Sequence, residues 1–148
     1  MPLPRFAQSG DLPAGVHPAT LREIIDRFGT ESPQRMLVAL RLEHIYRLAV
    51  ATRQLARFVV FGSFVTSHPQ PNDVDVFTVM EDSFDAAQLT GDARMLFDHA
   101  DAQAHFGASV FWLRRLAALG GEQATIEHWQ VKRDGGYRGI VEIIGESP

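Results

Sequence analysis

The sequence predicts an α+β domain, a small mixed sheet of about four or five strands with helices packed on one face. Three observations carry this. Two apolar runs rich in valine and phenylalanine, Phe58 to Phe61 and Val74 to Met80, flank a polar loop and have strand composition. Two helical stripes, each opened by a capping signal, precede the first run. The chain of 148 residues, 45% hydrophobic and 22% charged, has the size and composition of one globular unit with a single core. The whole of residues 1–148 therefore reads as one domain.

Residues 1–18 contain Pro2, Pro4, Pro13 and Pro18 and show little periodicity, which predicts an extended arm with Phe6, Leu12 and Val16 as anchors. Thr20 is an N-cap with Glu23 as its capping-box partner; Leu21, Ile24, Ile25 and Phe28 follow at helical spacing, and Gly29 closes the helix. Ser32-Pro33 opens a second helix whose apolar face runs through Met36, Leu37, Leu40, Ile45 and Leu48 to an end near Thr52. The loop from Ser67 to Asn72 holds the turn formers Pro69, Pro71 and Asn72. In the strand after it, Val74, Val76, Thr78 and Met80 face one way and Asp73, Asp75, Phe77 and Val79 the other. Both faces are apolar beyond the aspartates, which predicts a central strand.

Ser83 is read as capping a helix with its stripe on Leu89, Ala93, Leu96, Phe97 and Ala100, interrupted by Gly91 and ended by Gly107. Ala108 to Leu113 is a third strand. Arg114 to Leu119 reads as one or two helical turns, Gly120-Gly121 as a break, and Glu122 to Trp129 as a short helix. Asp134-Gly135-Gly136, between Val131-Lys132-Arg133 and Tyr137 to Ile144, predicts a closing hairpin.

Bulk properties exclude several classes. No apolar run approaches the roughly 18 residues that span a bilayer. The N-terminus lacks a basic segment followed by a hydrophobic one, so no signal peptide is expected. The absence of cysteine excludes disulfides and thiolate metal sites and favours a cytoplasmic location. A formal charge of −4 disfavours broad binding to DNA or RNA, although a local basic patch is compatible with it.

The chemistry gathers where Phe58-Val59-Val60-Phe61 ends in Gly62-Ser63 and Asp73-Val74-Asp75 follows. Alternate residues of a strand share a face, so Asp73 and Asp75 bring two carboxylates together. Such a pair repels itself unless a cation sits between its members. Oxygen donors of this kind suit Mg²⁺ or Mn²⁺, which bind through one or two carboxylates plus substrate phosphates. Gly62 permits close backbone approach to a phosphate, and exposed N–H groups at the turn make an anion-binding concavity.

Gly62-Ser63 at the end of one strand and Asp73-x-Asp75 at the head of the next resemble the signature of the nucleotidyltransferase superfamily, the fold of polymerase-β-type palms and minimal bacterial nucleotidyltransferases. Leu12 to His17, Gly62 to Thr66 and Gly139 to Ile143 resemble a group of uncharacterised small bacterial members. The resemblance implies that Gly62 and Ser63 hold the phosphates of an NTP and that Asp73 and Asp75 bind divalent metal. It also implies a third carboxylate on a later strand. Ala108 to Leu113, where that group belongs, contains neither Asp nor Glu. Asp101, Glu122, Glu127 and Glu142 are the alternatives, with Glu142 the best placed. His68, between the motif halves, is a candidate for touching phosphate or base. Arg114, Arg115, Lys132, Arg133 and Arg138 are candidates for clamping a triphosphate.

Two functions follow as expectations. The first is a metal-dependent nucleotidyltransferase that moves NMP from an NTP to a hydroxyl, with Asp73, Asp75 and Glu142 as its catalytic set. The second is a catalytically degenerate nucleotidyltransferase-fold protein that binds or regulates a protein partner, as one component of a toxin–antitoxin or phage-defence pair. The missing carboxylate favours the second and the retained aspartates the first.

Overall fold

In a computed structural model that describes residues 3–145, a five-stranded mixed sheet forms the spine of the α+β domain. In chain order the elements are β1 (Val16–Ala19), α1 (Leu21–Phe28), α2 (Pro33–Ala51), β2 (Leu55–Phe61), β3 (Val74–Met80), α3 (Gly91–Leu96), α4 (His99–Phe106), β4 (Ala108–Arg114), α5 (Glu122–His128) and β5 (Ile140–Ile143). The strands lie in the order β1-β5-β2-β3-β4. β2 is antiparallel to β3 and to β5, whereas β3 with β4 and β1 with β5 are parallel.

The helix signals act as expected. Thr20 and Glu23 form a reciprocal capping box, and Ser32 Oγ accepts from Arg35 N at 3.1 Å with Pro33 as the first residue of α2. α1 to α4 pack on one face, where Ile24, Phe28, Leu42, Ile45, Leu96 and Phe106 share a core with Phe58, Val60, Val74, Val76 and Met80. α5 lies on the opposite face, with Ile126 and Trp129 packed on Val59, Phe77, Val79 and Ile140. The alternation read for β3 therefore holds, and the strand is interior with both faces buried.

Four local expectations change. The apolar face read for α2 is not the buried one: Met36, Leu37 and Leu40 are exposed, while Arg35, Val38, Ala39, Leu42, Ile45 and Ala49 are buried. The arm ends in a strand, because Val16–Ala19 pairs in register with Ile140–Ile143. Pro18 sits there on an edge, where a missing N–H leaves no ladder bond unmade. The single helix expected before Gly107 is instead a 3₁₀ turn over Ala86–Gln88 followed by α3 and α4. Asp85 caps the first, and Asp98 restarts the chain at α4 by accepting from Asp101 N at 2.9 Å. Gly107 then ends α4 in the left-handed region at φ 62°. The terminal hairpin reduces to one bridge between Val131 and Tyr137, since β5 finds better partners in β1 and β2.

The arm lies across the domain. Phe6 packs on Phe28 with ring centres 6.1 Å apart, Arg27 Nη2 donates to Pro4 O at 2.9 Å, and Leu12 is buried. Gly139 N donates to Leu12 O at 2.9 Å and Lys132 pairs with Asp11 at 3.0 Å, which ties the arm to the chain leading into β5. Met1 and Pro2 of the arm lie outside the described residues.

Candidate functional site

β2 ends at Phe61, and Gly62 turns the chain with φ 82° and ψ −166°, a conformation open in practice only to glycine. A 3₁₀ turn over Ser63–Val65 follows, in which Val65 N donates to Gly62 O at 3.3 Å and Thr66 N to Ser63 O at 3.1 Å. The N–H groups of Ser63 and Phe64 come ahead of the first of these bonds. The Ser63 hydroxyl has no hydrogen-bond partner among the described residues. Across the β2–β3 pair, Phe61 is in register with Asp75. The Asp75 carboxylate fills the space beside Gly62, where an added Cβ would overlap an oxygen and lie 2.9 Å from Cγ. Glycine is therefore required twice, by the backbone and by the carboxylate packed on it.

α2 fixes the loop between the two halves of the motif. Gln34 Nε2 donates to Pro71 O at 2.8 Å and Arg41 Nη1 to Asn72 O at 3.3 Å. Arg35, 5% exposed, donates to Phe28 O at 3.0 Å, Phe64 O at 2.8 Å and Thr66 O at 2.7 Å, and also to His68 O. Burial pulls its guanidinium below its usual range, opposed by the charge of Glu31. Four carbonyls stand in for the carboxylate that a buried arginine otherwise needs.

Asp73 lies one residue before β3 and Asp75 is the second residue of the strand. Burial, and secondarily the charge of Asp73, raise the Asp75 carboxyl to about 6. A Ser109 hydrogen bond and the positive charges of Arg138 and Arg133 act in the opposite sense. Ser109 is in register with Asp75 on β4, and its hydroxyl sits 3.5 Å from Asp73 Oδ2 and 3.3 Å from Gln103 Nε2. It occupies the place on this strand that faces the aspartates.

The remaining candidates divide. Glu142 does not join the pair. Arg57 grips it in a two-pronged ion pair, Nε to Oε2 at 2.7 Å and Nη2 to Oε1 at 2.6 Å. It is in register with Val59, itself opposite Phe77, so it shares a face with Asp75 but lies two strands across and two residues along, roughly 12 Å between Cα atoms. Glu122 is held by Arg57 and Arg115 at 3.7 and 3.3 Å, and Asp101 and Glu127 are exposed. His68 is exposed on the loop, its Nδ1 accepting from Gln70 N at 3.1 Å.

Among the five basic candidates, Arg114 donates to Phe84 O at 2.7 Å, Arg115 pairs with Glu81 and Glu122, and Lys132 pairs with Asp11. Arg133 and Arg138 act electrostatically on Asp75, and neither guanidinium has a hydrogen bond or ion pair among the described residues.

Among the described residues no three His, Cys, Asp or Glu groups come together as a metal centre. The donor set is therefore two carboxylates. That fits a cation which takes its other ligands from water and a bound phosphate, and it does not fit an all-protein cage. Sequence reasoning missed Ser109 and the α2 residues Gln34, Arg35 and Arg41. A buried arginine that binds only carbonyls leaves no partner residue to find in the sequence.

A family described as a family of unknown function, DUF6932, matches residues 4–144. The chain belongs to that family. No curated protein and no solved structure matches it. The matched span takes in the arm from Pro4, the Gly62-Ser63 turn, both aspartates and β5. Among the described residues no helix is long and apolar enough to cross a membrane.

Proposed function

We propose that the protein binds an NTP with Mg²⁺ or Mn²⁺ between the Gly62-Ser63 turn and the Asp73–Asp75 pair, and transfers NMP to a hydroxyl acceptor in the cytoplasm. The observation that carries this is the meeting, at one end of β2 and β3, of a glycine-only turn, two mutually repelling carboxylates and the uncommitted cations Arg133 and Arg138. Asp73 and Asp75 would hold the metal, which when bound offsets charge on the triphosphate and the departing pyrophosphate. Ser63 offers its hydroxyl and the turn its N–H groups to the phosphates. Arg133 and Arg138 bring guanidinium groups suited to phosphate oxygens. Arg35, Gln34 and Arg41 keep the turn and the aspartates in register by holding the loop between them. His68, at that loop, is available to the base or the outer phosphate. Glu142 serves the Arg57 ion pair and has no part in the site.

Ser109 favours a second reading. A neutral hydroxyl stands where the superfamily resemblance calls for a carboxylate, so the site could bind a nucleotide without the group that helps deprotonate an acceptor. The protein would then be a nucleotide-binding regulator with a protein partner, as in a toxin–antitoxin or phage-defence pair.

Titration calorimetry with each NTP and Mg²⁺ tests the site common to both readings. Metal-dependent binding that disappears in Asp73→Asn/Asp75→Asn supports it, and absence of binding with all four sinks it. Release of pyrophosphate with an adduct on an acceptor then selects transfer, and binding without turnover selects the regulator.

A further inference from the structure

The face of the sheet that carries Asp75 is roofed farther along by α5. Between roof and floor lies a cavity of about 580 Å³. Phe77, Phe111 and Leu113 are its floor and Ala124 part of its roof; Leu119, 91% exposed, stands at its open rim, and Trp129, packed on Phe61, borders the end nearer Asp75. The volume falls within the roughly 300–1,000 Å³ of small-molecule sites.

The roof is built to stay in place. Glu122, the first residue of α5, is held by Arg57 and Arg115 at 3.7 and 3.3 Å. At the other end, the Trp129 ring lies 4.6 Å from Phe61, 5.1 Å from Phe77 and 5.0 Å from Phe111, at interplanar angles of 33–37°. Ile126, fully buried, anchors the helix on the sheet between these points.

The lining contains no Lys, Arg, Asp or Glu. A phosphate or carboxylate placed there would lose water and find no countercharge, so the occupant is uncharged. Polar side chains are few. Thr125 spends its hydroxyl on Gly121 O at 3.0 Å, leaving His128 and the indole N–H of Trp129 as the side-chain polar groups open to a ligand. A nucleobase edge, with several donors and acceptors, would go largely unpaired. Phe77 is 2% exposed and already covered by Trp129, so the rings open to an aromatic ligand are Phe111, 37% exposed, and the half-buried Trp129.

Register links this cavity to the carboxylates. Asp75 is opposite Ser109 and Phe77 opposite Phe111, so the floor begins two residues beyond the acidic pair on the same face, one pleat repeat of roughly 7 Å.

We propose that the cavity is the acceptor site, and that the acceptor is an uncharged planar aromatic molecule bearing a hydroxyl, a phenol or an aryl-substituted alcohol. This rests on the transfer reading above. The hydroxyl oxygen, lying toward Asp75, forms a bond to the α-phosphorus of the NTP. The bond from that phosphorus to the bridging oxygen breaks, pyrophosphate leaves with the electron pair, and the hydroxyl proton passes to solvent.

The test uses 2-naphthol, tryptophol and 4-hydroxybiphenyl as probes, titrated calorimetrically into the wild-type protein, Ala124→Phe, which fills the cavity, and Phe111→Ser, which removes a stacking face at a position already 37% exposed. At least one probe is expected to bind the wild type and to bind both variants at least tenfold more weakly, with NTP binding unchanged. Mass spectrometry after incubation with Mg²⁺ and NTP should then show that probe carrying NMP. No binding by any probe, or binding indifferent to both variants, overturns the cavity as a ligand site. Probe binding and NTP binding without an adduct overturns its role as acceptor site. Probe binding in a protein that binds no NTP also overturns that role, and it locates the failure in the nucleotide reading, because the cavity has then passed its own test.

Discussion

Gly62 and Asp75 pack against each other across the β2–β3 pair, and the carboxylate of one occupies the space that any side chain at the other would need. The turn and the acidic pair are thus one unit, and no side chain can be added at residue 62 without displacing the Asp75 carboxylate. Gly62→Ala combines a backbone conformation costing about 1–3 kcal/mol in other residues with displacement of the Asp75 side chain. At about 2–4 °C per kcal/mol, the thermal midpoint should fall by several degrees. Metal-dependent NTP binding should be lost as well. A variant with wild-type stability and wild-type binding would show that the contact constrains neither.

Arg35 is predicted to matter more to folding than any surface cation. Arg35→Met leaves the carbonyls of Phe28, Phe64, Thr66 and His68 without their donor in a buried place. At about 1–3 kcal/mol for each buried group left unpaired, even partial hydration of the site leaves a loss above roughly 3 kcal/mol. Arg35→Lys should recover little, because an ammonium has three donors from one atom and cannot span four carbonyls. Denaturant midpoints of the two variants check this; a lysine variant close to wild type would contradict it.

The legibility of the fold follows from where its signals are stored. Thr20, Glu23, Ser32 and Pro33 act within one turn of chain, so the starts of α1 and α2 are readable to the residue; the buried face of α2 was not, because Met36, Leu37 and Leu40 are apolar yet exposed and Arg35 is charged yet buried. Val74 to Met80 is readable because its two faces alternate, with aspartates on one. β1 was not, since Val16-His17-Pro18-Ala19 is short, contains proline and becomes a strand only by pairing with β5, more than a hundred residues away. The same holds for the site. Gly62, Ser63, Asp73 and Asp75 form a local pattern, whereas Ser109 and the choice of Arg133 and Arg138 over Arg114, Arg115 and Lys132 depend on partners fixed by tertiary structure.

Glu142 supplies a contrast with the aspartates. Its ion pair with Arg57 has both partners 19% exposed and two short hydrogen bonds, a geometry that stabilises at about 1–3 kcal/mol. It also holds Arg57 where it can reach Glu122. Glu142→Gln should lower the thermal midpoint by several degrees and leave the affinity for Mg²⁺ and NTP within about twofold of wild type, since roughly 12 Å separates it from Asp75. Loss of nucleotide affinity in a folded Glu142→Gln protein would return this residue to the site.

Asp75 makes stability depend on pH in an uncommon direction for a carboxylate. Its carboxyl stands near 6 in the folded protein against an ordinary 3.8, so the folded state binds the proton more tightly than the unfolded state. The contribution is fully present below the unfolded value and declines as pH rises through about 4 to 6, amounting to roughly 2–3 kcal/mol once both states are ionised. In the absence of divalent cation, Asp75→Asn should therefore be more stable than wild type at pH 7.5, by several degrees in thermal midpoint, with the difference vanishing near pH 4. Mg²⁺ with NTP should raise the wild-type midpoint at pH 7.5 and do little at pH 5, because protonation of Asp75 competes with the cation. Midpoints measured from pH 4 to 8 for both proteins, with and without Mg²⁺ and NTP, give the answer. Parallel curves for wild type and Asp75→Asn would mean that burial and Asp73 leave this carboxylate unperturbed, and that the acidic pair has no need of a cation.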